Sequence, residues 1–234
     1  MRMPGTHIPM FTQTAQSGAE DIAARLEEDI VLGLLAPQVR LIEDDLMARF
    51  QAKRHVVRAA CDLLEKAGLV ERKRNVGAMV RSFADTDVYQ LYEIRRLLET
   101  EAMRLVPLPA PEEMLRHLHL IQAKHDEAVQ LADVRLIFHS NQEFHRGLFG
   151  YCGNPHLAQA IEDFARRTHA IRFQALLSRE QQLKSQKEHH QLLELLEVGD
   201  RETLLALTQA HLIPSRDYYL RTRNALGLLS DIRP

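Results

Sequence analysis

Cysteine is scarce in this chain of 234 residues, which holds only Cys61 and Cys152. The two lie far apart and form no CxxC pair, so their spacing gives no sign of disulfides. The first 18 residues have neither the long apolar stretch nor the small-residue cleavage pattern of a secretory leader. These absences predict a reducing, cytoplasmic location. Residues 1–18 are expected to form a flexible N-terminal arm.

Long apolar runs are absent as well. No segment approaches the ~18 consecutive apolar residues needed to cross a bilayer, which excludes a membrane span and predicts no membrane partner. The composition that remains, 45% hydrophobic and 26% charged, is that of an ordinary soluble protein. The length suits one large domain or, more comfortably, two modest ones.

The net charge is only −2, but it is unevenly placed. Residues 36–84 contain ten Lys or Arg and six Asp or Glu, whereas residues 85–234 contain 18 basic and 21 acidic residues. Ten of the twelve histidines also lie in that second part. We therefore divide the chain into a basic head (residues 19–82), a mildly acidic body (residues 83–225) and a C-terminal tail (residues 226–234). This division favours nucleic acid as a partner of the head alone.

The head has the pattern of a winged helix-turn-helix. In GAEDIAARLEEDIVLGLL the apolar residues that fall four apart are Ile22, Leu26, Ile30 and Leu34. This spacing predicts an amphipathic helix that runs to Leu34. A second helix, EDDLMARF, is joined by QAK to a third, RHVVRAACDLLEKAG, which makes a helix-turn-helix. The segment LVERKRNVGAMVRSF then has two short runs around Asn75 and Gly77, which predicts a β-hairpin wing.

The third helix begins with basic residues, namely Lys53, Arg54, His55 and Arg58. The N-terminal end of the second helix of such a unit docks in the major groove of DNA. Arginine can contact guanine or grip phosphate there, whereas lysine mostly supplies charge. The alternative interpretation is a solvated basic helix of a protein-interaction domain. Basic residues, turn length and hairpin coincide as DNA binding requires, so we favour double-stranded DNA.

Residues 19–82 resemble the winged helix-turn-helix of the GntR family of bacterial transcription regulators. The resemblance is carried by GLLAPQVRLIEDDLMARF, LLEKAGLV and RNVGAMV. It implies DNA contacts at Arg40, Arg54, Arg58 and Gly77, to which we add Lys53, His55 and Asn75 as candidates. Where the family usually has Ser-Arg-Thr-Pro-Val-Arg, this chain has KRHVVR, which brings extra charge and a bulkier side chain into the groove.

From Asp85 onward every long segment has helical periodicity. Asp85 is expected to cap the first helix, and Gly153-Asn154-Pro155 to end one helix and begin the next, which runs to Leu177. We predict six helices joined by short loops, which form an antiparallel bundle. The predicted fold class is thus mainly α, a winged helix-turn-helix followed by an all-α antiparallel bundle.

Three histidines and an amide fall on apolar faces of this bundle. In FHSNQEFH, Asn141 and His145 are four residues apart and share a face with apolar neighbours. His189 lies ten residues before Gly199 and His211 twelve after it, so an antiparallel hairpin brings them to nearly the same height. The neighbouring His190 is turned about 100° away and is expected to meet solvent.

Buried neutral histidines must satisfy two ring nitrogens each, and three in one layer do so economically around a divalent metal. We therefore predict a metal site at His145, His189 and His211, with the amide oxygen of Asn141 as a fourth ligand. The alternative is that each histidine only forms a hydrogen bond within the core.

The body also resembles the all-helical effector domain of the FadR subfamily of GntR regulators, the FCD domain. The resemblance is carried by EIRRLLE, FH at 144–145, GNPHL, EHHQLLELLEVGD and AHL at 210–212. Many members bind a metal through one aspartate and three histidines, next to a small carboxylate effector. The resemblance assigns the histidine positions to His145, His189 and His211, with Asn141 in place of the aspartate. It implies zinc or nickel as the cofactor.

Two arginines complete a predicted effector site, with Asn141 as its third member. Arg95 lies on the apolar face of its helix, and a guanidinium there needs an anion. A structural ion pair with Glu99 or Glu101 is an equally good interpretation of Arg95. Arg172 is assigned because the family often carries arginine on this helix.

The sequence thus predicts a DNA-binding transcription regulator that senses a small organic acid at a metal centre. We expect a homodimer, because family operators are palindromic and one short recognition helix contacts few bases. The alternatives are a metal-dependent hydrolase and a regulator that responds to the metal itself. No HExxH motif is present, and Glu188, adjacent to His189, is expected to point elsewhere, so we predict no enzymatic activity.

Overall fold

The structure, a computed structural model, describes residues 18–225, so the predicted tail and all but the last residue of the predicted arm lie outside the described residues. The head comprises three helices and a two-stranded antiparallel sheet in which Val70 pairs with Val80. Its elements are α1 (Ala19–Val31), α2 (Glu43–Phe50), α3 (Arg54–Lys66), β1 (Val70–Lys73) and β2 (Gly77–Val80). The predicted helix-turn-helix and wing are confirmed.

Local backbone geometry explains the turns of the head. Gln51, in the turn between α2 and α3, has a positive φ of 50°. In the hairpin, Asn75 and Gly77 have φ values of 63° and 97°, as predicted for these two residue types. The prediction that α1 runs to Leu34 is wrong, because Gly33 turns the chain at φ 74° and leaves Leu34 exposed.

The body consists of helices throughout its described part. They are α4 (Asp85–Leu105), α5 (Glu112–Leu131), α6 (Val134–Gly150), α7 (Pro155–Arg167), α8 (His169–Ala175), α9 (Arg179–Val198) and α10 (Arg201–Ala225). Seven helices stand where six were predicted, because the segment from Pro155 breaks at Thr168. The Thr168 hydroxyl donates to the carbonyl of Ala165 at 2.9 Å, which favours such a break.

Two helix starts can be compared with their predictions. Asn154 caps α7 as predicted, since its Oδ1 accepts from the backbone N–H groups of His156 and Leu157 at 3.1 Å each. The prediction that Asp85 caps α4 is wrong. Ala84 holds the capping position, and the Asp87 carboxylate accepts from its N–H at 3.3 Å.

Head and body each have a hydrophobic core, and they touch through α1 and α8. The head core includes Ile22, Leu26 and Leu64, and Ala170 of α8 packs against it. The body core lies between α4, α5, α6, α7, α9 and α10, where α9 and α10 form the hairpin about Gly199. Within residues 18–225, no helix is both long and apolar enough to cross a membrane.

Candidate functional site

The structure brings the three predicted histidines together from three different helices. His145 of α6, His189 of α9 and His211 of α10 each offer a ring nitrogen, and these atoms lie within 4.8 Å of one another. The Nε2 atoms of His145 and His211 are 3.3 Å apart. His145 and His189 are buried, and His211 is half-buried. His190 is exposed, as predicted, and it contacts Asp126.

Hydrogen bonds define which nitrogen of His189 is free. Its Nδ1 lies 3.0 Å from the amide oxygen of Gln122 on α5, which can only accept, so Nδ1 carries the proton. Nε2 is then a lone-pair donor, and this buried atom has no partner among the described residues. The arrangement leaves an unsatisfied base inside the histidine cluster.

Glu188 defines which ring nitrogen of His211 carries the proton. The Glu188 Oε2 atom lies 2.6 Å from His211 Nδ1, which assigns the proton to Nδ1 and leaves the Nε2 lone pair facing His145. The prediction that Glu188 points elsewhere is wrong, because its side chain reaches across to α10. A signal was present in the sequence, since Glu188 lies eleven residues before Gly199 and His211 twelve after it.

Burial keeps two members of this cluster, His145 and His189, neutral. It lowers the pKa of His145 and of His189 well below the ordinary histidine value, and the positive charge of Arg172 acts on both in the same direction. Sequence reasoning missed a further buried histidine next to the cluster, His125 of α5, whose ring centroid lies 5.0 Å from that of His189. Burial lowers its pKa to about 4. Its position on the core face, four residues after Ile121, was the available signal.

Asn141 contacts an arginine. Its Oδ1 accepts from Arg172 Nη2 at 2.8 Å, and its Nδ2 lies 3.4 Å from the Ser185 hydroxyl. The oxygen that was predicted to bind a metal therefore already accepts one hydrogen bond and has one further lone pair. The structure brings together two residues of the predicted effector site, Asn141 and Arg172.

Arg95 has an internal counter-ion. Its Nε donates to Glu99 Oε1 at 2.8 Å, and both side chains are only 3% exposed. Its Nη1 lies 3.4 Å from the Thr168 hydroxyl. Of the two interpretations of Arg95, this geometry corresponds to the structural ion pair with Glu99.

Arg172 differs from Arg95 because its side-chain hydrogen bond goes to a neutral amide. Within residues 18–225, no carboxylate lies within ion-pairing distance of its guanidinium, and the side chain is buried. Burial, followed by repulsion from Arg95, lowers its pKa to about 10, although Glu99 acts in the opposite direction. Arg172 remains protonated at neutral pH and is therefore a buried cation without its own anion.

Two cavities adjoin this layer, and both are lined by Arg95 and Arg172. The smaller, of about 40 Å³, also contacts Asn141, Glu188 and His211. The larger, of about 320 Å³, reaches His145 and lies against α4, α6, α7 and α8. The charged layer is thus accessible from two sides.

The predicted DNA-contacting residues lie at the surface of the head. Lys53, Arg54, His55 and Arg58 are exposed at the start of α3, and the exposed Asn75 marks the tip of the wing. Arg40, Arg54, Arg58 and Gly77 line one common depression of this surface.

Two acidic residues of α2 form ion pairs with the arginines of this surface. Arg54 contacts Asp44 at 2.6 Å and Glu43 at 3.1 Å, and Arg58 contacts Glu43 at 2.9 Å. Because these groups are exposed to solvent, the pairs are weak and can be exchanged.

Comparison with known families agrees with this architecture. Residues 18–80 match the gntR family of bacterial regulatory proteins, and residues 90–213 match the FCD domain. The fold and these matches define a DNA-binding transcription regulator. More particularly, the chain belongs to the GntR family and carries an FCD domain.

Similar proteins are transcription regulators. An uncharacterized HTH-type transcriptional regulator, YdhC of Bacillus subtilis (strain 168), is 29% identical over 80% of this chain and 84% of its own length. The Nta operon transcriptional regulator of Aminobacter aminovorans is 25% identical over 75% of this chain and 82% of its own length.

Solved structures share the fold. McbR/YncC of E. coli superposes with a TM-score of 0.75 at 19% identity, over 89% of this chain and 99% of its own. A transcriptional regulator GntR from Rhodococcus sp. RHA1 gives a TM-score of 0.73 at 21% identity, over 87% of this chain and 97% of its own. At these identities the likeness concerns the fold alone.

The buried histidines predict a pH dependence of stability. His145 and His189 have pKa values below their unfolded value of about 6.5, so the unfolded chain binds more protons below that pH. Stability of the metal-free protein should be retained above about pH 6.5 and fall below it, by up to ~1.4 kcal/mol per pH unit for each such histidine. Urea unfolding from pH 7.5 to 5 measures this. His189→Gln should have a shallower slope, and parallel curves would contradict the assignment.

Proposed function

We propose that this GntR-family regulator senses a small organic acid beside a divalent metal, and that the acid changes how the protein binds operator DNA. The observation that carries the proposal is the buried guanidinium of Arg172, whose side-chain hydrogen bond goes to a neutral partner. It lines both cavities next to the histidine cluster. The effector-binding residues of this proposal are Arg172, Asn141 and Arg95.

A buried charge without a counter-ion is costly for a protein to maintain. The pair of Arg95 and Glu99 is neutral as a unit, so Arg172 is left without an ion-pair partner of its own. A carboxylate in either cavity would supply the missing negative charge and could engage the guanidinium through two parallel hydrogen bonds. An anionic ligand therefore fits this site better than a neutral or cationic one.

The histidine cluster fits a metal by the chemistry of its donors. The buried Nε2 atom of His189 has no partner in the described chain, and His211 directs a lone pair into the same space. His145, His189 and His211 would hold the ion, with the oxygen of Asn141 as a weaker fourth donor. Imidazole ligands suit zinc or nickel rather than calcium or magnesium. When bound, the ion would supply positive charge and a coordination position for a carboxylate oxygen.

Two residues outside the proposed ligand set would orient the histidines. Gln122 holds His189 and Glu188 holds His211, each through the ring nitrogen that faces away from the cluster. Such partners fix the tautomer and ring orientation of metal ligands, and a carboxylate also increases the basicity of the ring. This argument also favours a structural role for Glu188 over that of a general base in a hydrolase.

For the head, we propose that Arg54 and Arg58 exchange their acidic partners on α2 for DNA. Phosphate or a guanine edge would replace Glu43 and Asp44, while Lys53 and His55 lie on the same exposed end of α3. Arg40, Asn75 and Gly77 would contact the DNA backbone from the wing side.

We further propose that the protein acts as a homodimer in the cytoplasm. The α4 helix exposes an apolar stripe of Ile94, Leu97 and Leu105, which a second copy could cover. Two heads related by a twofold axis would then read a palindromic operator.

The ion pairs between α2 and α3 predict opposite effects of two kinds of substitution on DNA binding. Arg54→Ala or Arg58→Ala should weaken binding by ~1 to 3 kcal/mol if the side chain reads a base edge. Glu43→Gln should strengthen binding, because it removes a competing acid from both arginines. Gel-shift titration on the promoter region of its own gene, at several salt concentrations, measures both. Arg116→Ala, on the exposed face of α5, is the control. Unchanged binding in both arginine variants would show that α3 is not the recognition helix.

The contact between Glu188 and His211 predicts the metal affinity of two variants. Glu188→Gln should weaken zinc or nickel binding ~10- to 100-fold, because the ring loses the carboxylate that orients it. Asn141→Asp should strengthen metal binding, because it adds a charged ligand. Competition with a chromophoric chelator measures the affinity directly. Glu194→Gln, exposed on the same helix, should leave it unchanged. Equal affinities of the native protein and Glu188→Gln would contradict the proposed centre.

The two buried arginines predict opposite stability effects. Arg95→Met leaves the carboxylate of Glu99 unpaired and should cost ~3 to 5 kcal/mol. Arg172→Met removes an uncompensated charge and should be neutral or stabilising, yet it should abolish binding of carboxylates. Urea unfolding and calorimetric titration with benzoate and citrate measure the two properties. An Arg172→Met protein that binds these acids as tightly as the native protein would remove Arg172 from the effector site.

A further inference from the structure

We infer that the effector is a monocarboxylate with a compact apolar body, and that this body occupies the 320 Å³ cavity between α4, α6, α7 and α8. An aromatic or branched aliphatic acid has this chemistry, whereas hydroxy acids, dicarboxylates and tricarboxylates do not. The inference rests on the proposed function, because it assumes that an anion binds at Arg172.

Size decides which cavity takes the organic part of the ligand. The cavity beside Asn141, Glu188 and His211 has a volume of only about 40 Å³, which suits a few water molecules. The second cavity, at about 320 Å³, falls at the lower end of the range typical of small-molecule sites. A small acid fits there, and both cavities meet at the same guanidinium groups.

Apolar atoms make up most of the exposed lining of the large cavity. They include side chains of α6 and α7, namely Phe149, Ala158, Ile161 and Ala165. Buried polar groups also line the cavity, namely Arg95, Glu99, His145, His169 and Arg172. Arg95 pairs with Glu99, so Arg172 is the cation among them that has no ion pair. A ligand with one anionic group and an apolar remainder matches this lining.

The mouth of the cavity is crossed by an ion-pair bridge between α6 and α7. Arg146 contacts Glu162 at 2.9 Å, and Arg166 contacts the same carboxylate at 3.4 Å. Both arginines are exposed, so they mark the solvent boundary of the cavity. The bridge limits the length of a ligand that is anchored at Arg172. It therefore favours a compact body over a long chain.

A second polar group on the ligand would be poorly accommodated. A second carboxylate would lie close to the carboxylates of Glu99 and Glu162, which also line the cavity, or against Phe149 and Ile161, where it would lose its water without gaining a partner. An apolar body loses nothing on leaving water and gains contact with the same walls. The wall chemistry thus selects against polyacids even though Arg172 would attract them.

Calorimetric titration of the zinc-loaded and the metal-free protein tests this inference with named acids. The apolar probes are benzoate and cyclohexanecarboxylate, and the polar probes are succinate and citrate. Acetate is the reference acid, because its apolar part is only a methyl group. We expect the two apolar probes to bind at least ~10-fold more tightly than acetate, succinate and citrate. This comparison uses the native protein, so it does not depend on the folding of any variant.

Filling the cavity provides the second arm of the experiment. Ala158→Leu should weaken benzoate ~10-fold or more and leave acetate unchanged, because it occupies the space of the body and not that of the carboxylate. Ala165→Leu serves the same purpose if Ala158→Leu does not fold. Ala160→Leu, on the same helix but outside the cavity lining, is the matched control and should bind benzoate as the native protein does.

The outcomes separate this inference from the proposed function. Tighter binding of succinate or citrate than of benzoate, or no effect of either filling variant on benzoate, would overturn the apolar body and leave acid sensing intact. Failure of every acid to bind, with and without zinc, would overturn the proposed function itself and the inference with it. Tight benzoate binding that is lost on filling the cavity supports both.

Discussion

The shortage of negative charge in one buried layer is the constraint on which the body depends. Two guanidinium groups, Arg95 and Arg172, lie within the helical body, and the one buried carboxylate beside them, Glu99, hydrogen-bonds to Arg95. The helices around them must therefore hold a positive charge in a medium that solvates it poorly. Neutral histidines and an amide surround that charge, and none of these groups carries a negative charge that would balance it. An apolar residue at position 172 would make the fold at least as stable. Stability therefore does not explain the presence of Arg172.

The short helix α8 joins the buried layer around Arg172 to the DNA-binding head. Arg172 lies one turn after His169, whose Nδ1 contacts Glu27 of α1 at 2.6 Å. Between them, Ala170 packs against the head core. The break at Thr168 makes α8 a helix of its own, separate from α7. An acid at Arg172 could thus bias the position of the head, provided that it binds one arrangement better than another.

Periodicity and turn chemistry predicted most of the fold, because they are local properties. The stop at Gly199 and the spacing of His189 and His211 were sufficient to bring two helices into register, and the histidine cluster follows from that register. Contacts between helices were harder to predict. The reach of Glu188 depends on how closely α10 approaches α9, which the spacing of a single segment does not encode. The pair of Arg95 and Glu99, in contrast, lies four residues apart on α4, so the spacing offered it as one of two interpretations.

The residue at position 141 connects the metal and the acid in one argument. The resemblance to the FadR subfamily implies an aspartate there, but an aspartate would lie against the guanidinium of Arg172, where the amide oxygen of Asn141 now stands 2.8 Å away. It would strengthen the proposed metal site and at the same time neutralise the cation that we propose for effector binding. Asparagine leaves Arg172 its charge. Glu188, in contact with His211, supplies a negative charge to the outer side of the histidine cluster instead. The chain thus keeps a carboxylate near the proposed metal centre while leaving Arg172 without an ion pair.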